Sequence, residues 1–584
     1  GLVDSCIISN NAVGYGGGLS HGGGAYITGP GRLRNCLIAG NNHNVNAGGV
    51  YCSGGTIESC TIVDNYCSPV TAVGGLYNSN GTILNTIIAY NNNKNGLSNH
   101  VNAGTTWSYT YSCTTPAVAG AGNTSLDPRF SDRAAQDYTL LPGPCVDTGA
   151  NQAWMDEALD VAGGARLVSG TVDMGALESV PGALRCSFEG TPLTGLASNL
   201  VVFTAAVGGT NTTGLSYAWS FHNDENIDAE GADRAVVTNL YWPGLYSVRL
   251  TVSTAAGETD TQVYADYILV APTVAYVSTN GPSIYPYDTW AKAATNIHDA
   301  VDAGVDGTLV RVSNGVYRIS RQIELMHNIA VRSVNGAGAT EIRRESGSSR
   351  IFYLTRPEAV VDGFTLANAN RGAVYLDTAG VVSNCVIRDN ISENNTTAGG
   401  GVQLRSGGHV RSCEIINNFV NTSGGGGAGG VGIARSSAGL VENCVISNNT
   451  VYYGGGGGSG GGVFLSGGRL RNCLVFDNRH INAGGVYCSG GIVENCTIAS
   501  NRCLKATATS PGGLECVNGT ILNTIIHDNW TVSNLWNHAD SGTKWSYTNC
   551  STWPTNGLVG STNQDGDPLF RNLVAGDCRL GRGS

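Results

Sequence analysis

NAGGVYCSGGIVENCTIASN, residues 482–501, carries the information that decides the fold. Gly484-Gly485-Val486-Tyr487 opens a short apolar run, Val493 centres a second, and Cys496-Thr497-Ile498 forms a third that closes on Asn501. Apolar and polar residues alternate in each run, which is the period of a strand. Working outward, the place of Cys496 is filled by Cys6, Cys36, Cys60, Thr86, Cys385, Cys413, Cys444, Cys473 and Thr524. The residue before it is always Asn or Ser, and two residues on stands Ile, with Val475 the one exception. Five residues on stands Asn every time: Asn11, Asn41, Asn65, Asn91, Asn390, Asn418, Asn449, Asn478, Asn501 and Asn529. Successive units lie 23 to 31 residues apart, and residues 1–141 return as 439–580, a duplication laid over the shorter repeat.

Three short strands joined by turns cannot bury an apolar face alone. Stacked about 4.8 Å apart they pair in parallel and close a continuous core. The recurring Asn then forms a ladder, each amide bonding to the next rung, and the glycines are expected at the corners where φ is positive. Leucine-rich repeats would need Leu at fixed spacing, which is absent. The doubled Asn pattern resembles the parallel β-helix repeat family, whose fold is that of pectate and pectin lyases, over roughly residues 1–125 and 305–565. The fold class expected is all-β: two right-handed, three-sheet parallel β-helix segments flanking an immunoglobulin-like sandwich.

The boundaries follow from where the repeat stops. Residues 1–126 form the first β-helix. Residues 127–182, reading DPRF, DYTLLPGPCVDTGA and VDMGALE, form its exit segment. Residues 183–272 contain alternating strands such as VVFTAAV and YSVRLTVS, with Trp219 as the expected core tryptophan. They resemble a PKD domain, although Trp219-Ser220-Phe221-His222-Asn223-Asp224 stands where that family usually has Trp-Asp-Phe-Gly-Asp-Gly. Residues 273–566 form the second β-helix, and 567–584 restart the exit segment. Trp290, Ala294, Ile297 and Val301 recur at helical spacing and predict one capping helix over 290–303. Gly1 falls inside a repeat and the second exit segment stops early, so the chain reads as cut at both ends. The segment opening at Tyr276 resembles the start of β-helices in large secreted bacterial surface proteins. That resemblance implies secretion or a cell-surface location.

Composition narrows the function classes. Charged residues are 13% of the 584 and the net charge is −11, which argues against nucleic acid as a partner. No apolar run approaches the roughly 20 residues of a membrane span. Hydrophobic residues at 41%, in short alternating runs, exclude a disordered chain. Eight of the 18 cysteines occupy the rung position, and Cys52, Cys488 and Cys516 a second inward one, as small apolar core residues. Cys52 with Cys67, and Cys488 with Cys503, could pair in an oxidising compartment. No Cys-x-x-Cys occurs, so no zinc site is expected. Glycine runs such as residues 454–458 lack the Lys-Ser/Thr of a phosphate loop.

Two function classes remain open. One is a non-catalytic stalk, adhesin or fibre component, with extracellular polysaccharide or neighbouring copies as partners and no cofactor. The other is a polysaccharide lyase or glycoside hydrolase, which needs carboxylates gathered on neighbouring rungs. The candidates are Asp389, Asp477 and Asp528, each one residue before a ladder Asn, as is Asp64. At the rung spacing the first two stand roughly 14 Å apart and the last two about 10 Å. His100 with Trp107, and His538 with Trp545, sit in matching positions after the last rung of each copy. They read either as a sugar-stacking site or as aromatics closing the β-helix.

Overall fold

The computed structural model describes residues 1–14, 22–68, 72–94, 96–179, 182–434 except 394–398 and 422–426, 438–453, 459–504, 510–552, 562–573 and 577–581. The glycine run at 454–458 lies outside them. The chain forms two compact units. The first holds the N-terminal solenoid, its exit segment and most of the sandwich; the second holds the C-terminal solenoid together with the short pieces Thr194–Asn199 and Leu240–Leu245.

Both solenoids are stacks of parallel strands paired in register. In the first, Val3, Leu33, Ile57, Ile83 and Tyr109 stand directly over one another, and Ile8, Ile38, Ile62 and Ile88 form the adjoining wall. From the second rung on these side chains are buried. Each Ile so removed from water contributes roughly 1.5–3 kcal/mol before entropy is charged against it. In the second solenoid the walls run Val382, Val410, Val441, Leu470, Val493, Ile521 and Ile387, Ile415, Ile446, Val475, Ile498, Ile526. Beyond the three expected columns lies a further one of two- to four-residue strands just past the ladder Asn, such as Tyr66–Cys67, Thr450–Tyr453 and Arg502–Cys503.

The strands are short because the backbone turns sharply twice in every unit. The Asn or Ser before the rung cysteine is left-handed throughout, for example Asn443 at φ 53° and Asn495 at φ 52°. The residue before the ladder Asn is left-handed too, as at Asn448 (φ 53°) and Ser500 (φ 56°). Short polar side chains tolerate this region best among non-glycine residues. Glycine supplies a further corner, at Gly55, Gly408 and Gly491, and precedes the ladder Asn at Gly40, but does not take every corner as the sequence reading expected. The paired glycines that open each unit serve close approach instead. A Cβ on Gly485 would stand 2.7 Å from the Gly513 carbonyl oxygen and 2.9 Å from the Asn501 amide nitrogen.

The predicted helix over 290–303 is corrected to a short 3-10 turn, Trp290–Lys292, and a separate helix, Ile297–Asp302. Ala293 is extended (φ −47°, ψ 139°). Ala294 donates to the Tyr276 carbonyl at 2.9 Å and accepts from Ser278 N at 2.8 Å, so strand pairing interrupts the helical run. Asn296 then caps the second piece by accepting from Asp299 N at 2.9 Å. Ile297, Ala300 and Val301 face the core.

In the first unit, two antiparallel sheets form the sandwich. Arg185–Thr191, Asn199–Gly208 and Val236–Tyr241 make one; Ser216–Ser220, Gly244–Ser253 and Thr259–Ala271 belong to the other. Trp219 is fully buried between Phe188 and Phe203, its indole N–H donating to the Arg234 carbonyl at 2.8 Å. The exit segment lies along the first solenoid. Asn35 and Asn85, two of the left-handed corner residues, donate through Nδ2 to the Leu159 and Ala150 carbonyls at 2.8 Å each.

Candidate functional site

The Asn residues form two hydrogen-bonded columns. Asn41 donates through Nδ2 to Asn65 Oδ1 at 2.9 Å, Asn65 to Asn91 at 2.9 Å, and Asn11 to Asn41 at 2.9 Å. In the second solenoid Asn390, Asn418, Asn449, Asn478, Asn501 and Asn529 are linked in the same way at 2.9–3.0 Å. Each Oδ1 also accepts the backbone N–H of the Asn one rung back, as Asn449 does from Asn418 at 2.9 Å. Asn99 and Asn537 end the columns by accepting from Asn91 and Asn529. Sequence reading missed both, because they follow eight residues after the last ladder member, out of phase with the repeat.

The three candidate carboxylates do not converge. Asp389, Asp477 and Asp528 are left-handed corner residues at φ 55°, 51° and 52°, each beside an Arg or His of its own. Asp389 pairs with Arg388 at 2.6 Å and accepts from Asn417. Asp477 pairs with Arg479 at 3.3 Å and Asp528 lies 3.1 Å from His527 Nδ1. Asp64, in the first solenoid, accepts from the Tyr138 hydroxyl at 3.2 Å. Among the described residues no group of three His, Cys, Asp or Glu side chains is placed to hold a metal ion.

The His and Trp candidates do come together, around a tyrosine the sequence reading left unassigned. His100 and Trp107 flank Tyr109 at 5.9 and 6.1 Å between ring centroids, and His538 and Trp545 flank Tyr547 at 5.7 and 5.9 Å. Both indoles are partly buried against the core, and both tyrosine hydroxyls are bonded, to Asn102 and Asp540 at 2.8 Å. Burial pushes the His538 imidazole down to about 4, so it is neutral at neutral pH. The 18 cysteines are free thiols; Cys52, Cys67, Cys488 and Cys503 are buried and form no disulfide. The rung cysteines from Cys36 on are buried, each S–H directed at the carbonyl two residues back, as Cys444 to Glu442 at 3.1 Å.

A charged row on the solenoid surface also escaped the sequence reading. Glu442 accepts from His409 at 2.8 Å and pairs with Arg471, while Glu494 pairs with Arg469 at 2.8 Å. In the first copy Arg34 pairs with Asp4, and Arg32 with Glu58 at 3.1 Å. The Arg471 guanidinium, and after it the hydrogen bond from His409, hold the Glu442 carboxyl below its ordinary range. A carboxylate depressed in the folded state contributes stability that is full above its unfolded pKa of about 4.3 and is lost as pH falls through the folded value. The urea midpoint of wild type should therefore drop more steeply than that of Glu442→Gln between pH 5 and pH 3. Parallel pH slopes for the two proteins would remove this row from the stabilising interactions.

No family model matches the chain and no curated protein matches it. Among solved structures it is similar to a pectin methylesterase from Aspergillus niger, at 12% identity over 50% of this chain and 90% of that one, TM-score 0.24. It is also similar to a pectin methylesterase in complex with a hexasaccharide, at 12% identity over 53% and 98%, TM-score 0.24, and to the Agl-KA catalytic domain, at 11% identity over 62% and 84%, TM-score 0.19. Likenesses this low assign neither activity nor substrate.

Proposed function

We propose that this chain is a non-catalytic extracellular or cell-surface repeat protein, a stalk, adhesin or fibre component in which stacked rungs hold loops at fixed spacing. One observation carries the reading. The carboxylates that an enzyme of this fold would bring onto one substrate are spent singly, as left-handed corners, Asp389 and Asp477 each paired with a local Arg and Asp528 beside His527. A retaining or inverting hydrolase needs its pair within roughly 5–9.5 Å of each other. Asp389 and Asp477 stand three rungs apart along the ladder, with Asn418 and Asn449 between their rungs. The sandwich, with Trp219 at its centre, fits a PKD-type spacer, and the partners proposed are extracellular polysaccharide or further copies of the chain.

The test is turnover. The purified chain, incubated with pectin, polygalacturonate and alginate with and without calcium, should release no unsaturated or reducing ends above a no-protein control. Product formation that disappears in Asp477→Ala would replace this reading with the polysaccharide lyase or hydrolase.

A further inference from the structure

Several concavities of the first unit adjoin at one turn, residues 126–130. Three cavities of about 710, 410 and 160 Å³ adjoin there. The first two share Arg129 and Glu189 as a wall, and the second and third share Tyr90 and Asp127. The middle cavity holds the chemistry. From the last full rung comes Tyr90, from the exit segment Asp127 and Arg133, and from the sandwich Glu189, Tyr264 and Tyr267.

A backbone irregularity puts the two sandwich tyrosines on one face. Along a regular strand, residues three apart point to opposite sides. Within Thr259–Ala271, Asp266 turns left-handed at φ 50°, with its N–H bonded to Ser247 Oγ at 3.0 Å. The extra residue re-aims the strand as a bulge does. Tyr264 and Tyr267 then lie 5.0 Å apart, with Tyr264 against Phe188 at 4.5 Å. The Tyr267 hydroxyl accepts from Gly190 N at 3.0 Å, while the half-buried Tyr264 hydroxyl has no hydrogen-bond partner among the described residues.

The polar rim is held in place. Arg129 donates to the Pro142 carbonyl at 3.1 Å and to Ser187 at 2.8 Å, and pairs with Glu189 at 3.0 Å. Asp127 accepts from the Tyr90 hydroxyl at 2.6 Å and from Arg129 N at 2.8 Å. The Arg133 guanidinium lies 4.0 Å from the Tyr90 ring centroid. The duplicated turn in the second solenoid shows that the turn itself does not require these groups. Phe570–Asn572 pairs with Asp577–Leu580 as Phe130–Asp132 pairs with Asp137–Leu140. Yet Leu569 stands for Arg129, Leu573 for Arg133 and Asp528 for Tyr90.

We infer that this cleft is a saccharide subsite that takes a neutral pyranose residue of a polysaccharide. A pyranose presents an apolar C–H face and a rim of hydroxyls; the tyrosines supply an aromatic wall with one unspent hydroxyl, and two carboxylates with a guanidinium supply acceptors and donors for the rim. Asp127, Glu189 and Asp64, which lies 3.8 Å from Arg133, outnumber Arg129 and Arg133, which favours an uncharged sugar over a uronate. This deepens the proposed role by naming a ligand class, and rests on that reading only for the location of the polysaccharide.

The test is calorimetric titration of the full chain with cellohexaose, xylohexaose, mannohexaose and, as the charged comparator, hexagalacturonate. At least one neutral hexasaccharide should bind. Tyr264→Phe, which keeps the ring packing, and Glu189→Gln, titrated at a temperature where each variant is shown to be folded, should each weaken it fivefold or more, Tyr264→Ala should abolish it, and Trp545→Phe should leave it unchanged. No binding by the neutral sugars, binding of hexagalacturonate alone, or affinity indifferent to both Tyr264→Phe and Glu189→Gln would overturn the inference. Turnover lost in Asp477→Ala would end the non-catalytic reading and leave this one standing.

Discussion

Replacing Asn449 by Leu should destabilise the second solenoid by about 3–6 kcal/mol. Asn449 is fully buried, and its amide makes four hydrogen bonds. Nδ2 donates to Asn478 Oδ1 at 3.0 Å and to the Ile415 carbonyl at 2.8 Å, and Oδ1 accepts from Asn418 N at 2.9 Å and Asn418 Nδ2 at 3.0 Å. Leucine has similar bulk, so packing alone would permit the change. It leaves the Asn418 N–H and the Ile415 carbonyl without their amide partner, each at roughly 1–3 kcal/mol, and takes one bond each from Asn418 Nδ2 and Asn478 Oδ1, which keep the Ile387 carbonyl and the backbone N–H of residue 449; added apolar contact recovers only part of this. The effect reaches beyond one rung, since Asn418 and Asn478 are themselves the partners of Asn390 and Asn501. Asn449→Asp separates the two readings of the site: it keeps the acceptor and loses the donor, so it should also destabilise. Denaturant midpoints of both variants decide the matter. A Leu variant as stable as wild type would mean that the column needs bulk and not bonds.

What could be read from the sequence, and what could not, divides along a physical line. Residues whose role repeats at a fixed position, such as Asn449 or Ile446, declare themselves by recurrence, because every rung presents the same environment. Asp477 also recurs in type, but an Asp before a ladder Asn satisfies two demands equally well in sequence: a catalytic carboxylate, or a short polar side chain tolerating φ near 50°. Only the backbone angle and its pairing with Arg479 distinguish them. The helix predicted over 290–303 failed for a related reason. Ala293 and Ala294 have high helix propensity, but the edge strand Val274–Val277 offered Ala294 two hydrogen bonds, and tertiary pairing outweighed local preference. The tyrosines of the cleft were illegible because the bulge at Asp266 breaks the period-two rule by which a strand's faces are read. Arg166 was illegible because the exit segment has no period at all.

Arg166 carries the other large effect. It is fully buried in the exit segment, at 0% exposure, and its Nη1 donates to Glu178 Oε2 at 2.6 Å. Its Nη2 donates to the Asp173 and Gly175 carbonyls. Around it Glu178 Oε1 accepts from Val168 N at 3.1 Å, Asp160 accepts from Glu178 N at 3.1 Å, and Asp173 accepts from Asp147 N at 2.6 Å. One guanidinium thus ties together a stretch with almost no regular secondary structure and no disulfide. Burial, and then the charge of Asp173, push the Glu178 carboxyl up to about 7 even with Arg166 beside it. Arg166→Met removes that cation and leaves the Glu178 carboxyl in a poor solvent, which costs about 3–5 kcal/mol. The expected result is early hydrogen exchange across residues 147–179 and a lower denaturant midpoint for the first unit. The exchange of the second solenoid should not change. Desolvating an ion pair costs nearly as much as the pair returns, so Arg166→Met combined with Glu178→Leu should recover much of the loss. A single variant within about 0.5 kcal/mol of wild type would show that the exit segment is held by its contacts with Asn35 and Asn85, and that the buried charges only occupy space within it.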